Sequence, residues 1–369
     1  METKEYLEYF KHYFQNLAQF RKEKIKNYLL ENNICPITFS ENGMPIDNAK
    51  KNEFDFVMEC FLQYKEAIIL FQKYELFRNY KYSIFYEIEN FDEVKIKKLI
   101  SEKKEKYFAI DKSIENFNLY IDEKNNAIKI EKGYFFNAEE NIYIKIPIGI
   151  EKYDDVFFQN IKTKMNFLCI IDSKNKILEV RYDGLSYPFK TTQEFYLTLE
   201  AEAVKFIMST LNLKLKSKDL EFLSKNVDQI KQEGFKIVRK KNHFNDEGGA
   251  TLHSNRKNML PYVDDLKELL DYKLKQFTIG TIEYQIADEL SREIKQFLIE
   301  KEEESSCLNI ILEIENYRTH FNFLMEKEIS CIVQHEYMDT KNDGGRGDYV
   351  RSVILQLEEK FNRVGNQRE

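Results

Sequence analysis

Apolar residues recur at helical spacing through two long N-terminal stretches. Within residues 4–30, Tyr6, Phe10, Tyr13, Phe14, Leu17, Tyr28 and Leu29 fall three to four positions apart or at multiples of it. That spacing predicts one long helix, ended by Asn32-Asn33 and Pro36. After a loop holding Gly43 and Pro45, Phe54, Val57, Phe61, Tyr64, Ile68 and Phe71 predict a second helix from about 53 to 78. Together they read as a helical hairpin, followed by a shorter helix over 92–104.

The period then changes. Segments 117–121, 127–130 and 142–148 are short and rich in β-branched or aromatic residues, which predicts an antiparallel β-meander. Segments 167–171 and 177–182 predict a further hairpin across Ser173–Lys176. Helical spacing returns over 191–233. Thr191 and Glu194 have the spacing of a capping box, and Gly234 stands where a helix C′ glycine belongs. A polar loop over 239–258 leads to a helix from Pro261 to Lys275. A strand over 277–285, a helix over 286–301 and strands at 308–314, 318–325 and 329–338 follow. A last helix from Asp348 buries Val350, Val353, Ile354, Leu357 and Phe361. The fold class is α+β: an N-terminal helical hairpin with an antiparallel meander, then a helical segment and a C-terminal antiparallel sheet packed by the terminal helix.

Length sharpens this picture. At 369 residues the chain exceeds the roughly 250–300 at which single cores stop growing, so two domains are expected. The turn around Gly184 and Pro188 places them at 1–187 and 188–369. An aromatic content of 14% with 12 Gly and 5 Pro excludes disordered and collagen-like classes. The N-terminus lacks a basic segment leading into an apolar run, and no apolar stretch approaches the ~20 residues of a membrane span. A cytoplasmic protein without membrane contact is expected. The five cysteines at 35, 60, 169, 307 and 331 form no CxxC pair, which argues against a Cys-rich zinc site and for buried thiols in a reducing compartment. The weight on Lys, Asn, Ile, Tyr and Phe is what an AT-rich, bacterial genome encodes.

Charge changes the picture most. Lys and Arg number 56 against 63 Asp and Glu, a formal charge of -7. Residues 205–257 alone hold 12 bases and 6 acids, so that segment carries +6 and the remainder -13. Lys236, Arg239, Lys240, Lys241, Arg256 and Lys257 flank the 239–258 loop, and phosphate recognition needs converging cations of this kind. A solvated Lys-rich face is the commoner fate of such a run. The same loop holds His243 and Asp246, an acid–base or metal-chelating pair without a recognised metal spacing.

A second Gly-rich loop, His335 to Tyr349, carries Asp339, Asp343 and Arg346 into the last helix. Its glycines and the helix N-terminus could cradle an anion capped by Arg346, although Asp343 and Asp348 oppose phosphate and Asp348 suits an N-cap. His243, Asp246, His335 and Asp339 are therefore the candidate catalytic residues of a composite site. His320 is excluded from it by strand register: pairing Phe321 with Val333 gives the 318–338 hairpin one apolar face and separates His320 from His335. Asp172 with Glu179-Val180-Arg181 has the outline of an acidic-strand nuclease site, with Arg in place of the usual Lys.

Three functions follow. The first is a binding protein that holds nucleic acid or a nucleotide through the basic loop, in a phage-defence or mobile-element setting. The second is a metal-dependent nuclease or phosphodiesterase built on the two Gly-Gly loops. The third is an interaction subunit that meets a partner protein or a second copy through its aromatic N-terminal helices. No resident metal or cofactor is indicated by any motif, and a non-enzymatic role is favoured over an enzymatic one.

Overall fold

The first apolar stripe folds as two helices rather than one, α1 (Thr3–Gln15) and α2 (Gln19–Glu31). The break has a local cause: the Asn16 amide bonds the His12 carbonyl at 2.9 Å and so competes with helix continuation. The second stripe also divides, into α3 (Glu53–Gln63) and α4 (Lys65–Phe77), at Tyr64, whose backbone is extended. The structure is a computed structural model. It describes the chain apart from residues 40–41, 43–50, 104, 122–127, 139, 155–157, 190, 245–249, 256–260, 304–305, 315–316, 325–328, 335–344 and 366–369. The chain divides into two compact units, Met1–Ser217 with Tyr337–Asp348, and Lys218–Glu336 with Tyr349–Glu369.

In the first unit the helices are followed by β1 (Tyr82–Ile88), α5 (Glu93–Glu102), β2 (Tyr107–Ala109), β3 (Asn118–Ile121), β4 (Gly133–Asn137), β5 (Asn141–Asp154), β6 (Gln159–Asp172), β7 (Ile177–Tyr182), α6 (Gln193–Leu211) and β8 (Leu215–Ser217). The strand order is β1-β7-β6-β5-β4-β2, with β3 paired to β5 and β8 to β1. The β6–β7 hairpin is antiparallel as expected, and β5, with β4 and β1 that the spacing does not predict, extends it antiparallel, but β2 joins β4 and β3 joins β5 in parallel. Segment 128–130 forms no strand, although Ile128 and Ile130 are buried. β1 lacks a clean alternation because it is buried on both faces, the pattern of an interior strand.

Register sorts this sheet into two unlike faces. Ser83, Arg181, Leu168 and Lys145 are successive cross-strand partners on one face. Tyr82, Tyr182, Phe167 and Ile146 are partners on the other. The apolar face meets α6 through the Tyr182–Tyr196 ring pair and a bond from Tyr86 to Glu200. The polar face is covered by α1, whose Tyr6, Tyr9, Phe10 and Phe14 are buried together with Phe56, Phe61 and Phe71. Gly149 on β5 permits that approach: a Cβ there would lie 2.8 Å from the Tyr9 ring and 2.9 Å from Phe117. At the start of α6 the expected capping box is not made, since Thr192 is the N-cap, without a side-chain bond, and the Thr191 hydroxyl is buried without a partner.

The second unit contains α7 (Phe222–Lys225), α8 (Val227–Gln232), β9 (Lys236–Phe244), β10 (Ala250–Asn255), α9 (Pro261–Leu274), α10 (Ile282–Glu303), β11 (Ser306–Ile314), β12 (Tyr317–Leu324), β13 (Ile329–Gln334) and α11 (Gly345–Gly365). Its strands run β10-β9-β11-β12-β13, all antiparallel. The predicted 239–258 loop is thus largely a strand pair, with Arg239 opposite Asn255 and Lys241 opposite His253. The predicted strand at 277–285 is a turn and the start of α10: Gly280 has φ +91° and the Thr281 hydroxyl accepts the Tyr284 N–H. Gly234, with φ +87°, closes α8 as expected. Val350, Val353, Ile354 and Leu357 of α11 are buried as expected, and Lys218 pairs with Glu358 at 2.7 Å.

The β12–β13 register differs from the predicted one by a residue: Phe321 faces Ile332 and His320 faces Val333. The reason is that Ser330 to Gln334 are buried on both faces, so an apolar face no longer selects the pairing. Ser330 is used there, its hydroxyl accepting the Leu220 N–H at 3.2 Å.

Two stability predictions follow from this packing. Gly149→Ala is expected to lower unfolding stability by about 1–3 kcal/mol through overpacking, and an unchanged urea midpoint would contradict the close α1 seat. Burial pushes the Glu200 carboxyl up to about 7, a rise that the Tyr86 hydrogen bond only partly opposes. Its folded value lies above its unfolded one, so this group favours the folded state fully below about pH 4.5 and loses that contribution as pH rises through 7. Glu200→Gln should therefore match the parent near pH 4 and be more stable above pH 7, by on the order of 2–3 kcal/mol. A difference that is flat across urea titrations from pH 4 to 8 would refute it.

Candidate functional site

The polar face of the first sheet holds charges that water cannot reach. β5 contributes Lys145, β6 contributes Lys164 and Asn166, α4 contributes Glu75, and the segment before β3 contributes Glu115. All four ionic side chains are fully buried. Lys145 Nζ lies 2.5 Å from Glu75 Oε2 and 2.6 Å from Glu115 Oε2. Lys164 Nζ lies 2.9 Å from Glu75 Oε2, 3.1 Å from Glu115 Oε1 and 3.2 Å from the Tyr6 hydroxyl. Asn166 donates to Glu75 Oε1 at 2.8 Å. Burial alone would raise the Glu75 carboxyl, but Lys145, Lys164 and Arg78 outweigh it and hold that group well below the ordinary carboxylate range. Burial lowers Lys164, and the two glutamates oppose that only in part. For Lys145 the glutamates win over burial and its value is raised.

A second cluster adjoins this quartet. Asp183, just past β7, takes Arg78 of the α4 C-terminus and Arg21 of α2 on Oδ2, and the Lys81 N–H on Oδ1 at 2.9 Å. Both arginines also donate to the Asn79 carbonyl, at 3.0 and 3.2 Å. The Arg78 guanidinium lies 3.9 Å from the centre of the Tyr80 ring. Burial would raise Asp183, yet Arg78 and Arg21 hold it low.

A cavity of about 210 Å³ opens against this cluster, walled by Tyr13, Arg21, Arg78, Lys164, Asn166 and Asp183 and by the α1–α2 break at 16–18. Two of its lining residues carry a polar atom buried without a hydrogen-bond partner, Arg78 Nε and Asn166 Oδ1. Buried polar groups in folded proteins are rarely left so. The arrangement therefore has cationic donors, an unused N–H and an adjoining space, which is the equipment for holding a small anion.

The predicted site residues fall elsewhere. Lys236, Arg239, Lys240, Lys241 and His243 lie on β9, and Lys236 is paired with Glu313 at 2.9 Å. Arg256, Lys257, Asp246, His335 and Asp339 lie outside the described residues, and with them the composite Gly-Gly site. Arg346 is buried in the first turn of α11, which starts at Gly345, three residues earlier than expected. Asp348 is thus inside that turn and accepts from Arg181 at 2.7 Å. Arg181 also forms a two-pronged pair with Glu179, at 2.7 and 2.8 Å, and Ser83 donates to the same carboxylate at 2.6 Å. Asp172 holds the β6–β7 turn through Asn175. The acidic-strand residues therefore serve structural pairs. Among the described residues, no group of three or more His, Cys, Asp or Glu is placed to hold a metal ion.

None of the cavity residues is among the candidate site residues of the sequence. The available signal is the alternation Lys162-Thr163-Lys164-Met165-Asn166, a period-two pattern that puts Lys164 and Asn166 on one face of the sheet. Comparison with protein-family models and with curated proteins finds no match to the chain, so the site is interpreted from its geometry.

Lys145→Met should strand a buried carboxylate and cost about 3–5 kcal/mol of stability, measured by chemical unfolding. Glu75 and Asp183 titrate below their unfolded values, so their contribution is complete above the unfolded carboxylate range and is lost as pH falls through it. Acid unfolding of Lys145→Met should accordingly begin at higher pH than in the parent. Coincident acid transitions would exclude the quartet as their source.

Proposed function

We propose that the protein binds a small phosphorylated ligand of the nucleotide class, with the phosphate seated in the first unit's cavity. The observation that carries this reading is Arg78, which lines the cavity with Arg21 and Lys164 and whose buried Nε has no hydrogen-bond partner. Guanidinium groups match phosphate oxygens in pairs. The Tyr13 ring at the same wall gives a flat apolar surface beside the anion seat. At about 210 Å³ the space is smaller than the ~300–1,000 Å³ of drug-sized sites, so it accommodates a phosphate with its adjoining group rather than a long polymer.

Inorganic phosphate and a nucleoside monophosphate should raise the melting temperature, and the matching nucleoside should not. A ligand at 100 times its Kd stabilises by about 2.7 kcal/mol. Arg78→Lys, which keeps the charge but removes Nε, should weaken the response at least tenfold. Absence of any shift with either phosphate compound at millimolar concentration sinks the reading.

A second reading keeps the nucleic-acid contact on β9. It is favoured by Arg239, Lys240 and Lys241 standing consecutively on a strand whose other neighbour, β10, is the last strand of its sheet path. Binding to a DNA or RNA duplex should then weaken steeply with added salt. Replacement of the three by Glu should abolish it, and unchanged binding in that variant removes this reading.

A further inference from the structure

The α9–α10 hairpin of the second unit buries little of its described surface. Among the described side chains of the two helices only Ser291 is buried. Yet both helices carry an apolar stripe: Leu269 and Tyr272 on α9, and Ile282, Ile286, Leu290 and Phe297 on α10, the last four at helical spacing along one face. Ile282 is 72% exposed, Ile286 62% and Phe297 55%. The two helices are joined by a tight turn at Gly280 and tied by an ion pair between Lys295 and Asp271. Most helical stability in proteins comes from packing an amphipathic face, and contiguous apolar surface of this extent marks an interface.

We infer that this face is a self-association surface, on which a second copy of the chain lays its own α9–α10 hairpin to close a four-helix bundle. Area supports a copy as the occupant. The six side chains with Ile279, 82% exposed in the turn, make seven. At on the order of 100 Å² each they offer about 700 Å² per copy, close to the ~800 Å² per partner of a standard interface. Charge agrees. Exposed Lys273 flanks the α9 stripe, whereas exposed Glu289 and Glu293 flank that of α10. A two-fold arrangement sets α9 of one copy against α10 of the other and brings Lys273 to those glutamates twice. The acidic flank disfavours an anionic bilayer as the occupant.

Sedimentation velocity on the full chain tests this across a dilution series. A dimer that dissociates on dilution is expected, with Ile286→Glu plus Leu290→Glu weakening it by at least 100-fold. Both positions are exposed, so circular dichroism and the melting temperature at low concentration should stay at parental values. Lys273→Glu should weaken the dimer, and adding Glu289→Lys with Glu293→Lys should restore it. A chain that is monomeric up to about 100 µM, which excludes a Kd below that value, overturns the inference. So does a dimer indifferent to the double Glu substitution, or a monomer that binds vesicles of zwitterionic or anionic lipid through this stripe.

Discussion

Two lysines and two glutamates, fully enclosed between α1 and the first sheet, set the terms for the rest of that unit. Charges removed from water must find each other or lose their charge. Here each ammonium reaches both carboxylates, and the four groups come from β5, β6, α4 and the segment before β3. Their arrangement also fixes register. A one-residue slip between β5 and β6 would carry Lys145 or Lys164 to the opposite face, away from both Glu75 and Glu115 and among Tyr182, Phe167 and Ile146. Apolar residues of similar size could stabilise such a core as well as ions do. They would not discriminate one strand pairing from its neighbour so sharply.

The cavity is a consequence of how that quartet ends. Arg78 follows α4, one turn beyond Glu75, and Arg21 lies in the first turn of α2. Both converge on Asp183, which leaves β7 on the same side. The α1–α2 break at Asn16 is what allows this. An uninterrupted helix over 4–30 would carry Arg21 along the axis of α1, whereas the break turns α2 so that Arg21 meets Asp183 and Asn79. The same break supplies Asn16, Leu17 and Ala18 to the cavity wall. A local side-chain bond, Asn16 to His12, thus connects to the placement of two guanidinium groups.

The α+β class and most helices were legible because apolar stripes at 3.6 spacing survive burial on one side. α11 was legible for the same reason, and β11 and β12 through short runs of β-branched and aromatic residues. What escaped were elements whose burial violates the usual pattern. β1 is buried on both faces, including Ser83 on the polar one. The middle of β6 carries Lys164 and Asn166 inward, so the segment before Phe167 has no apolar face to mark it as a strand. The quartet itself could not be found by spacing: Glu75 and Lys164 lie 89 residues apart and meet only through the fold. Segment charge arithmetic pointed to 205–257 for an analogous reason. It counts cations near in sequence, and the cavity's cations at 21, 78 and 164 are near only in space.

The aromatic content has a related use. Lys164 Nζ sits 4.8 Å from the centre of the Phe71 ring and 5.3 Å from those of Tyr6 and Tyr13. Ring faces are weakly negative and attract a cation even where water is excluded. Tyrosine adds a hydroxyl that remains neutral there, because burial raises both Tyr6 and Tyr13. Tyr6 therefore packs its ring against Phe10, Phe61 and Phe117 while its hydroxyl bonds Lys164. A leucine could fill that volume but could not solvate the ammonium. In this unit the α1 stripe does two jobs with the same side chains. It seals the sheet from water, and it makes the sealed charges tolerable.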